Sequence, residues 1–260
     1  MINMASDVRV LGLEGFPLVK PGDDIVSLIL ERAQCLGIPI EDGDVVVVGH
    51  KIISKSEGRI VQLSKVKPSA RATKIARKSA KDPRLVQLIL NESRRVVKVK
   101  QGIILVETKE GMVCLNAGID KSNVEGHDTY SLLPENPGIS AERIAERVEN
   151  LTGKRVRVVV TDTYSRPFRT GQSEFAVSVS GFDPFFDYRG GRDLFGNILK
   201  FKFVSIADEL ACAAELVMGQ GAEGIPVAII KGVGRIAESR NASGSRLIMH
   251  RRGDLFRGAL

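Results

Sequence analysis

Short continuous apolar runs in this chain are separated by longer segments whose apolar residues recur at helical spacing. Val8 to Leu13 reads as a strand, and after the Pro21-Gly22 break Asp23-Asp24 opens a helix to about Cys35. Its leading acids suit the positive end of a helix dipole. Asp42-Gly43-Asp44 then turns into Val45-Val46-Val47-Val48, a β-branched run that needs cover on both faces. Two amphipathic helices are expected between Ser69 and Arg95. A hairpin follows: Gly102 to Glu107 is apolar, Lys109-Glu110-Gly111 turns, and Met112 to Leu115 is apolar again.

Beyond the Pro- and Gly-bearing stretch from Leu133 to Gly138, Ile139-Ser140-Ala141-Glu142 predicts a serine-capped helix ending at Gly153. A strand over 155–161 comes next, then Phe175 to Ser180, whose alternation fits a half-buried antiparallel strand. Gly181 to Gly196 is loop-rich. Lys200 to Ile206 reads as a strand, Ala207 to Met218 as a helix and Pro226 to Ile230 as a strand, with a further helix around His250-Arg251-Arg252. Hairpins mixed with occasional β–α alternation define an α+β fold with mixed and antiparallel sheets and flanking helices, without doubly wound order.

Composition narrows this picture. At 260 residues there is ample material for a core, and no apolar run approaches the roughly 18–20 residues a membrane helix needs. The first residues lack a signal-peptide pattern, and Cys35, Cys114 and Cys212 read as buried thiols of a reducing compartment, so a cytoplasmic location is expected. The net charge of +7 is concentrated: residues 51–100 carry fifteen Lys or Arg against Glu57, Asp82 and Glu92. That block suits either two helices with solvated basic faces or a nucleic-acid surface. Its helical spacing, and the absence of tryptophan and of an RNA-binding aromatic signature, favour the helices.

Candidate chemistry lies where apolar runs give way to polar residues. Cys114-Leu115-Asn116-Ala117-Gly118-Ile119-Asp120 ends a strand on an aspartate, followed by Ser122 and Asn123. Val156 to Val160 runs into Thr161-Asp162-Thr163, then Arg166 and Arg169. Two aspartates at the mouths of two buried strands, one beside arginines, is an arrangement for divalent metal and phosphate. Each aspartate alone is as readily a turn former or helix cap. Lys51, Lys55 and Arg59 sit four apart after the valine run, placing three cations on one helical face or loop edge. Gly219-Gln220-Gly221-Ala222-Glu223-Gly224 matches a dinucleotide fingerprint in letters only. A helix precedes it and a strand follows, the reverse of what Rossmann binding requires. No P-loop motif occurs.

Taken in order, these segments resemble the coenzyme F(420)-0:L-glutamate ligase family. The stretches that carry the likeness are Gly15 to Val19 with Gly22-Asp23-Asp24, Asp44 to Arg59, Asn116 to Glu125 and Thr161 to Gly171. Tyr188 to Gly196 and Ala207-Asp208-Glu209 through Pro226 complete the set. The resemblance implies a ligase region over 1–234 with two interleaved, intertwined subdomains, followed by a basic tail at 235–260. It implies a homodimer, GTP as co-substrate, two divalent cations (manganese or magnesium) and potassium as a further candidate ion. The implied reaction adds L-glutamate to a deazaflavin precursor through an acyl phosphate, then adds further glutamates by γ-linkage. The alternatives are an amide ligase acting on another phosphorylated acid, or a basic nucleic-acid-binding module. Asp120, Asp162, Thr163 and Gln220 match the metal positions, and Asp120, Asp162 and Arg166 are the catalytic candidates. Phe16, Pro17, Leu18, Val19, His50, Lys51, Lys55, Asn123, Met218, Gly219, Gly221, Ala222, Glu223, Gly224 and Ile225 match nucleotide-contacting positions. The chain departs from the family pattern at Gln220, where a glutamate is expected, and at Tyr164 and Ser165.

Overall fold

The computed structural model describes residues 7–165, 169–234, 236, 237, 239 and 244–249. The order begins β1 (Arg9–Gly12), α1 (Ile25–Cys35), β2 (Val45–Gly49), α2 (His50–Ser56), β3 (Ile60–Gln62), α3 (Ala70–Ser79) and α4 (Pro83–Asn91). It continues with β4 (Ser93–Lys100), β5 (Ile103–Thr108), β6 (Val113–Leu115), β7 (Thr129–Ser131), α5 (Pro137–Thr152) and β8 (Arg157–Ser165). Last come β9 (Gln172–Ser180), β10 (Phe185–Asp187), β11 (Phe203–Ser205), α6 (Ile206–Met218) and β12 (Val227–Lys231). The fold is α+β with several separate sheets, as the sequence pattern predicts. Among the described residues, no helix is long and apolar enough to cross a membrane.

The chain divides into two compact units. One comprises the described parts of Met1–Val19, Asp23–Ile53 and Asn136–Leu247; the other comprises those of Lys20–Gly22, Ser54–Glu135 and Ile248–Leu260. The first holds a five-stranded sheet in the order β1-β12-β2-β8-β9. Only β2 and β8 run parallel, with Val45 opposite Arg157 and Gly49 opposite Thr161. The four valines of β2 are fully buried because both faces are covered. Val46 and Val48 pack with Ile25, Val26 and Ile29 of α1 and Ile144 and Val148 of α5. Val45 and Val47 pack with Ala207, Leu210, Ala211 and Ala214 of α6. Each valine withdrawn from water in this way contributes roughly 1.5–2 kcal/mol.

In the second unit α3 and α4 share a core with β5 through Ala72, Ala76, Val86, Ile89, Ile104 and Val106. The basic residues of α3, Arg71, Lys74, Arg77 and Lys78, all lie on its exposed face, the solvated arrangement that the helical spacing favours. Three short strands and one long one escape the sequence pattern. β4 takes up Ser93–Arg95, the end of the expected second helix, because α4 stops at Asn91 and the chain pairs with β5. β3 and β7 pair with each other, and β10 lies within the stretch read as loop. Lys200 to Lys202 precede β11 as irregular chain.

Two further readings are corrected. Helix α5 is capped by Asn136, whose Oδ1 accepts from the Ile139 N–H at 3.1 Å, with Pro137 in the first turn. Ser140 is already inside the helix, so the expected serine cap is displaced by one turn. Cys35 is exposed at the last position of α1, whereas Cys114 is buried and Cys212 half-buried. The helix expected around His250-Arg251-Arg252 lies outside the described residues.

Candidate functional site

Parallel pairing of β2 and β8 fixes the centre of the site in the first unit. Gly49 is the partner of Thr161, so His50, opening α2, lies beside the residues that follow Thr161. His50 is only 3% exposed, and its Nε2 is 3.3 Å from Oδ1 of Asp162. Asp162 also accepts from the Thr163 N–H at 2.8 Å. The strand expected to stop at Thr161 continues to Ser165 because β9 pairs with it throughout: Asp162 faces Phe175 and Thr163 faces Glu174. Asp162 is therefore held within a strand, half-buried, and does not stand at its mouth.

Register also explains the neighbours of Asp162. Side chains two residues apart share one face of a strand, so Thr161 and Thr163 both turn towards Glu174. Glu174 is 4% exposed. Its carboxylate accepts from Thr161 Oγ1, from Thr163 Oγ1 at 2.8 Å and from Gln220 Nε2 at 2.7 Å. Gln220 comes from the loop after α6, and its Oε1 lies 2.7 Å from Thr163 Oγ1. Glu215 on α6 completes the group. Burial pushes its carboxyl above the ordinary range, a hydrogen bond from Gln220 pulls it back, and the charges of Glu174 and Glu223 push it up again. Neither Glu174 nor Glu215 was among the sequence candidates. Two-residue alternation in the sequence does not reveal Glu174, because the register shift between Val160 and Thr161 puts Glu174 and Ala176 on the face of Val179, opposite to Ser178 and Ser180.

The glycine loop is shaped by its own acid. Gly219 ends α6 with φ +67°, and a side chain there would lie 2.5 Å from the Glu223 carboxyl carbon. Glu223 turns back to accept from the Gly221 N–H at 2.7 Å. Helix α6 precedes this loop and β12 follows, which confirms that the fingerprint letters sit in a non-Rossmann context. Met218 is buried under the sheet, Ile225 is half-buried, and Ala222 and Gly224 are exposed. In the segment at 16–19, Phe16 and Val19 anchor in the core while Pro17 and Leu18 are exposed.

Lys51 and Lys55 lie one turn apart on α2, both half-buried. Arg59 does not extend that row. The helix stops at Ser56, Gly58 turns the chain with φ +69°, and Arg59 reaches Glu92 Oε2 at 2.6 Å and the Leu133 carbonyl at 3.1 Å. Arg169 is exposed, and Arg166 lies outside the described residues.

Asp120 and Asn123 belong to the second unit. Asn116, Ala117 and Gly118 take successive left-handed conformations, φ +52°, +58° and +66°, a costly backbone for the first two. They lead into Asp120, which bridges to Ser131 through both backbone groups. Its Oδ1 accepts from the N–H groups of Lys121 and Ser122 at 2.6 and 3.0 Å, and its Oδ2 from Ser122 Oγ at 2.5 Å. Locally Asp120 forms a turn, and that bonding holds its carboxylate in one orientation. Asn123 follows with φ +54°.

The structure thus gathers His50, Asp162, Thr163 and Gln220 with Glu174 and Glu215 in one unit. Among the described residues, no group of three or more His, Cys, Asp and Glu side chains could by itself hold a metal ion. The donors at Asp162, Thr163 and Gln220 are instead a carboxylate, a hydroxyl and an amide carbonyl. These are hard oxygens of the kind that suits magnesium or manganese.

A family model described as F420-0:Gamma-glutamyl ligase matches residues 15–232. Over 258 residues the chain is 44% identical to the coenzyme F420:L-glutamate ligase of Methanocaldococcus jannaschii, covering 99% of this chain and 100% of that protein. It is 44% identical over 252 residues to the protein of the same name from Methanothermobacter thermautotrophicus, covering 96% and 99% of the two chains. The Archaeoglobus fulgidus protein of that name is 44% identical over 226 residues, 87% and 88% of the two chains. Matches of this extent put the chain among ligases. It belongs to the F420-0:gamma-glutamyl ligase family.

Proposed function

We propose that this chain is a GTP- and metal-dependent ligase of coenzyme F420 biosynthesis. It joins L-glutamate to the lactyl carboxylate of F420-0 and then adds further glutamates by γ-linkage. Family membership supports the ligase activity. The observation that carries the phosphate chemistry is the set of oxygens on Asp162, Thr163 and Gln220 beside the end of β2. A carboxylate is a poor electrophile, because its oxygen has to leave as oxide. Transfer of the γ-phosphoryl group of GTP to that oxygen gives an acyl phosphate and GDP. The glutamate amine then attacks the carbonyl carbon, the C–O pair leaves with phosphate, and the amine gives up its proton.

In this reading Asp162, Thr163 and Gln220, with Asp120, hold the divalent cations, and Lys51 and Lys55 hold phosphate oxygens. Bound cations supply charge neutralisation at the phosphates. Phe16 to Val19, His50, Asn123 and the 218–225 loop contact the nucleotide. The enzyme works as a cytoplasmic homodimer, a state supported by the exposed apolar side chains Leu194, Phe195 and Phe201. The test is incubation with F420-0, L-glutamate, GTP and manganese, read by mass spectrometry. Stepwise glutamate-sized increments that require GTP are expected. No increments with F420-0, but amide formation on another phosphorylated acid, would replace the substrate. Salt-dependent binding of RNA without GTP turnover would remove the enzyme reading altogether.

A further inference from the structure

The arrangement around Glu174 raises a question of hydrogen supply. Its carboxylate is buried, and among the described residues no Lys, Arg or His side chain pairs with it. A buried charge without a cation is costly, and here only neutral donors offset the cost. The Thr163 hydroxyl has one hydrogen and two acceptors at nearly equal distance, Glu174 Oε1 at 2.8 Å and Gln220 Oε1 at 2.7 Å. The carboxylate is the stronger acceptor, so the hydrogen goes to Glu174. The Gln220 amide is oriented by the same group, because Nε2 donates to Glu174 Oε1. A flipped amide would set its oxygen against the carboxylate. Glu215 takes a hydrogen bond from Gln220 as well, reinforcing that orientation.

With both orientations fixed, Thr163 Oγ1 and Gln220 Oε1 present lone pairs 2.7 Å apart with no hydrogen between them. Two bare oxygens at that separation repel each other unless a cation lies against them. We infer that Glu174 is a positioning residue: through hydrogen bonds it turns the Thr163 hydroxyl and the Gln220 amide so that both oxygens are offered to a divalent cation. This inference rests on the proposed reading of Thr163 and Gln220 as cation ligands, through which Glu174 acts. Such a buried acid would need to be neither conspicuous in sequence nor adjacent to the reacting atoms to control the site.

The test measures manganese binding directly on the full chain without GTP, by calorimetry or by the spin-resonance signal of free manganese. Thermal unfolding in chelator is followed in parallel. Glu174→Gln keeps the shape, but its amide hydrogens displace those of Thr163 and Gln220. It is expected to weaken manganese binding by about 10-fold or more, the usual effect of losing a ligand's hydrogen-bond partner, while the chelator melting temperature does not fall. Glu174→Asp, which keeps the charge but withdraws it by one methylene, is expected to lose less and carries the test if the glutamine variant does not fold. In a Thr163→Val background Glu174→Gln should lose less than it does in the parent chain, because the hydroxyl's share of its effect is already gone and only the Gln220 amide is left to misorient. Undiminished binding in Glu174→Gln while Thr163→Val binds weakly overturns the positioning role alone. Undiminished binding in both variants overturns the ligand reading together with it. A full, additive loss in the double variant also overturns the inference, since Glu174 would then act independently of Thr163.

Discussion

At the scale of single residues, the site separates side chains that work from side chains that hold. Asp162 is half-buried in β8 beside His50, with its backbone fixed by β9. Replacing it with asparagine removes the charge and preserves shape and pairing. Asp162→Asn should therefore cut metal-dependent GTP turnover at least 100-fold, in the range known for removing one stabiliser of developing charge, and leave the urea midpoint unchanged. Turnover within a factor of two of the parent chain would remove Asp162 from the metal site. Arg59 is the opposite case. Sequence spacing allies it with Lys51 and Lys55, but its guanidinium is engaged by Glu92 and the Leu133 carbonyl. Arg59→Ala is expected to cost about 2 kcal/mol, the range for lost hydrogen bonds to a charged group, read as a lower urea midpoint. GTP affinity should stay within twofold; a tenfold loss of affinity at unchanged stability would return Arg59 to the phosphate site.

At the scale of elements, the same contrast shows in how β12 is tied to the start of β2. Lys231, the last residue of β12, donates to Asp44 Oδ2 at 2.7 Å, Glu41 Oε2 at 2.8 Å and the Pro39 carbonyl at 2.8 Å. Burial pulls the Lys231 pKa down, and the hydrogen bonds to Asp44 and Glu41 outweigh it and hold it above the ordinary value. The Lys231 hydrogen bond holds Glu41 below its own ordinary value. A raised lysine stabilises fully below its unfolded pKa, and that contribution is lost as pH rises through the folded one. A lowered glutamate stabilises above its unfolded pKa and loses that contribution as pH falls through the folded one. Lys231→Met strands Asp44, which is buried, and should cost roughly 3 kcal/mol at neutral pH. The gap between variant and parent in denaturant midpoint should shrink towards both acid and alkaline limits; a gap independent of pH would show that the lysine's charge is irrelevant. Elements of this kind are also what the sequence discloses unevenly. β2, α1 and α6 were legible because an unbroken valine run, an aspartate cap and helical spacing are local signals. The polar end of β8 was not, since Asp162 to Ser165 are strand only by pairing with β9. Asp162 and Thr163 could thus be named from the end of an apolar run. Glu174 could not, because its burial depends on which threonines face it across a register shift between Val160 and Thr161. A charged residue at a strand edge otherwise reads as solvent-facing.

At the scale of the whole molecule, the most exposed apolar side chains fall on one segment. The chain between β10 and β11 is held by its own hydrogen bonds: Asp193 N to the Asn197 carbonyl at 2.9 Å, Leu199 N to the Gly191 carbonyl at 2.8 Å, and Asn197 Nδ2 to Asp193 Oδ2 at 2.9 Å. Arg189 stacks on Phe203 and pairs with Asp187, holding that carboxyl at about 2. On this braced loop Leu194 is 99% exposed, and Phe195 and Phe201 are each 91% exposed. Solvated polar loops do not carry such residues at their tips without a reason. Burying a leucine or phenylalanine contributes roughly 1.5–3 kcal/mol, and a twofold interface counts each of the three side chains twice. That sum, set against the cost of association, is what the loop would contribute to the proposed homodimer. The variant carrying Leu194→Asp, Phe195→Asp and Phe201→Asp together should then sediment as a monomer under conditions where the parent chain sediments as a dimer. Its circular dichroism should match the parent's, because none of the three side chains belongs to a core cluster. A triple variant that still sediments as a dimer would show that this loop is not the contact between subunits. A parent chain that is monomeric at every concentration would remove the homodimer from the proposed function.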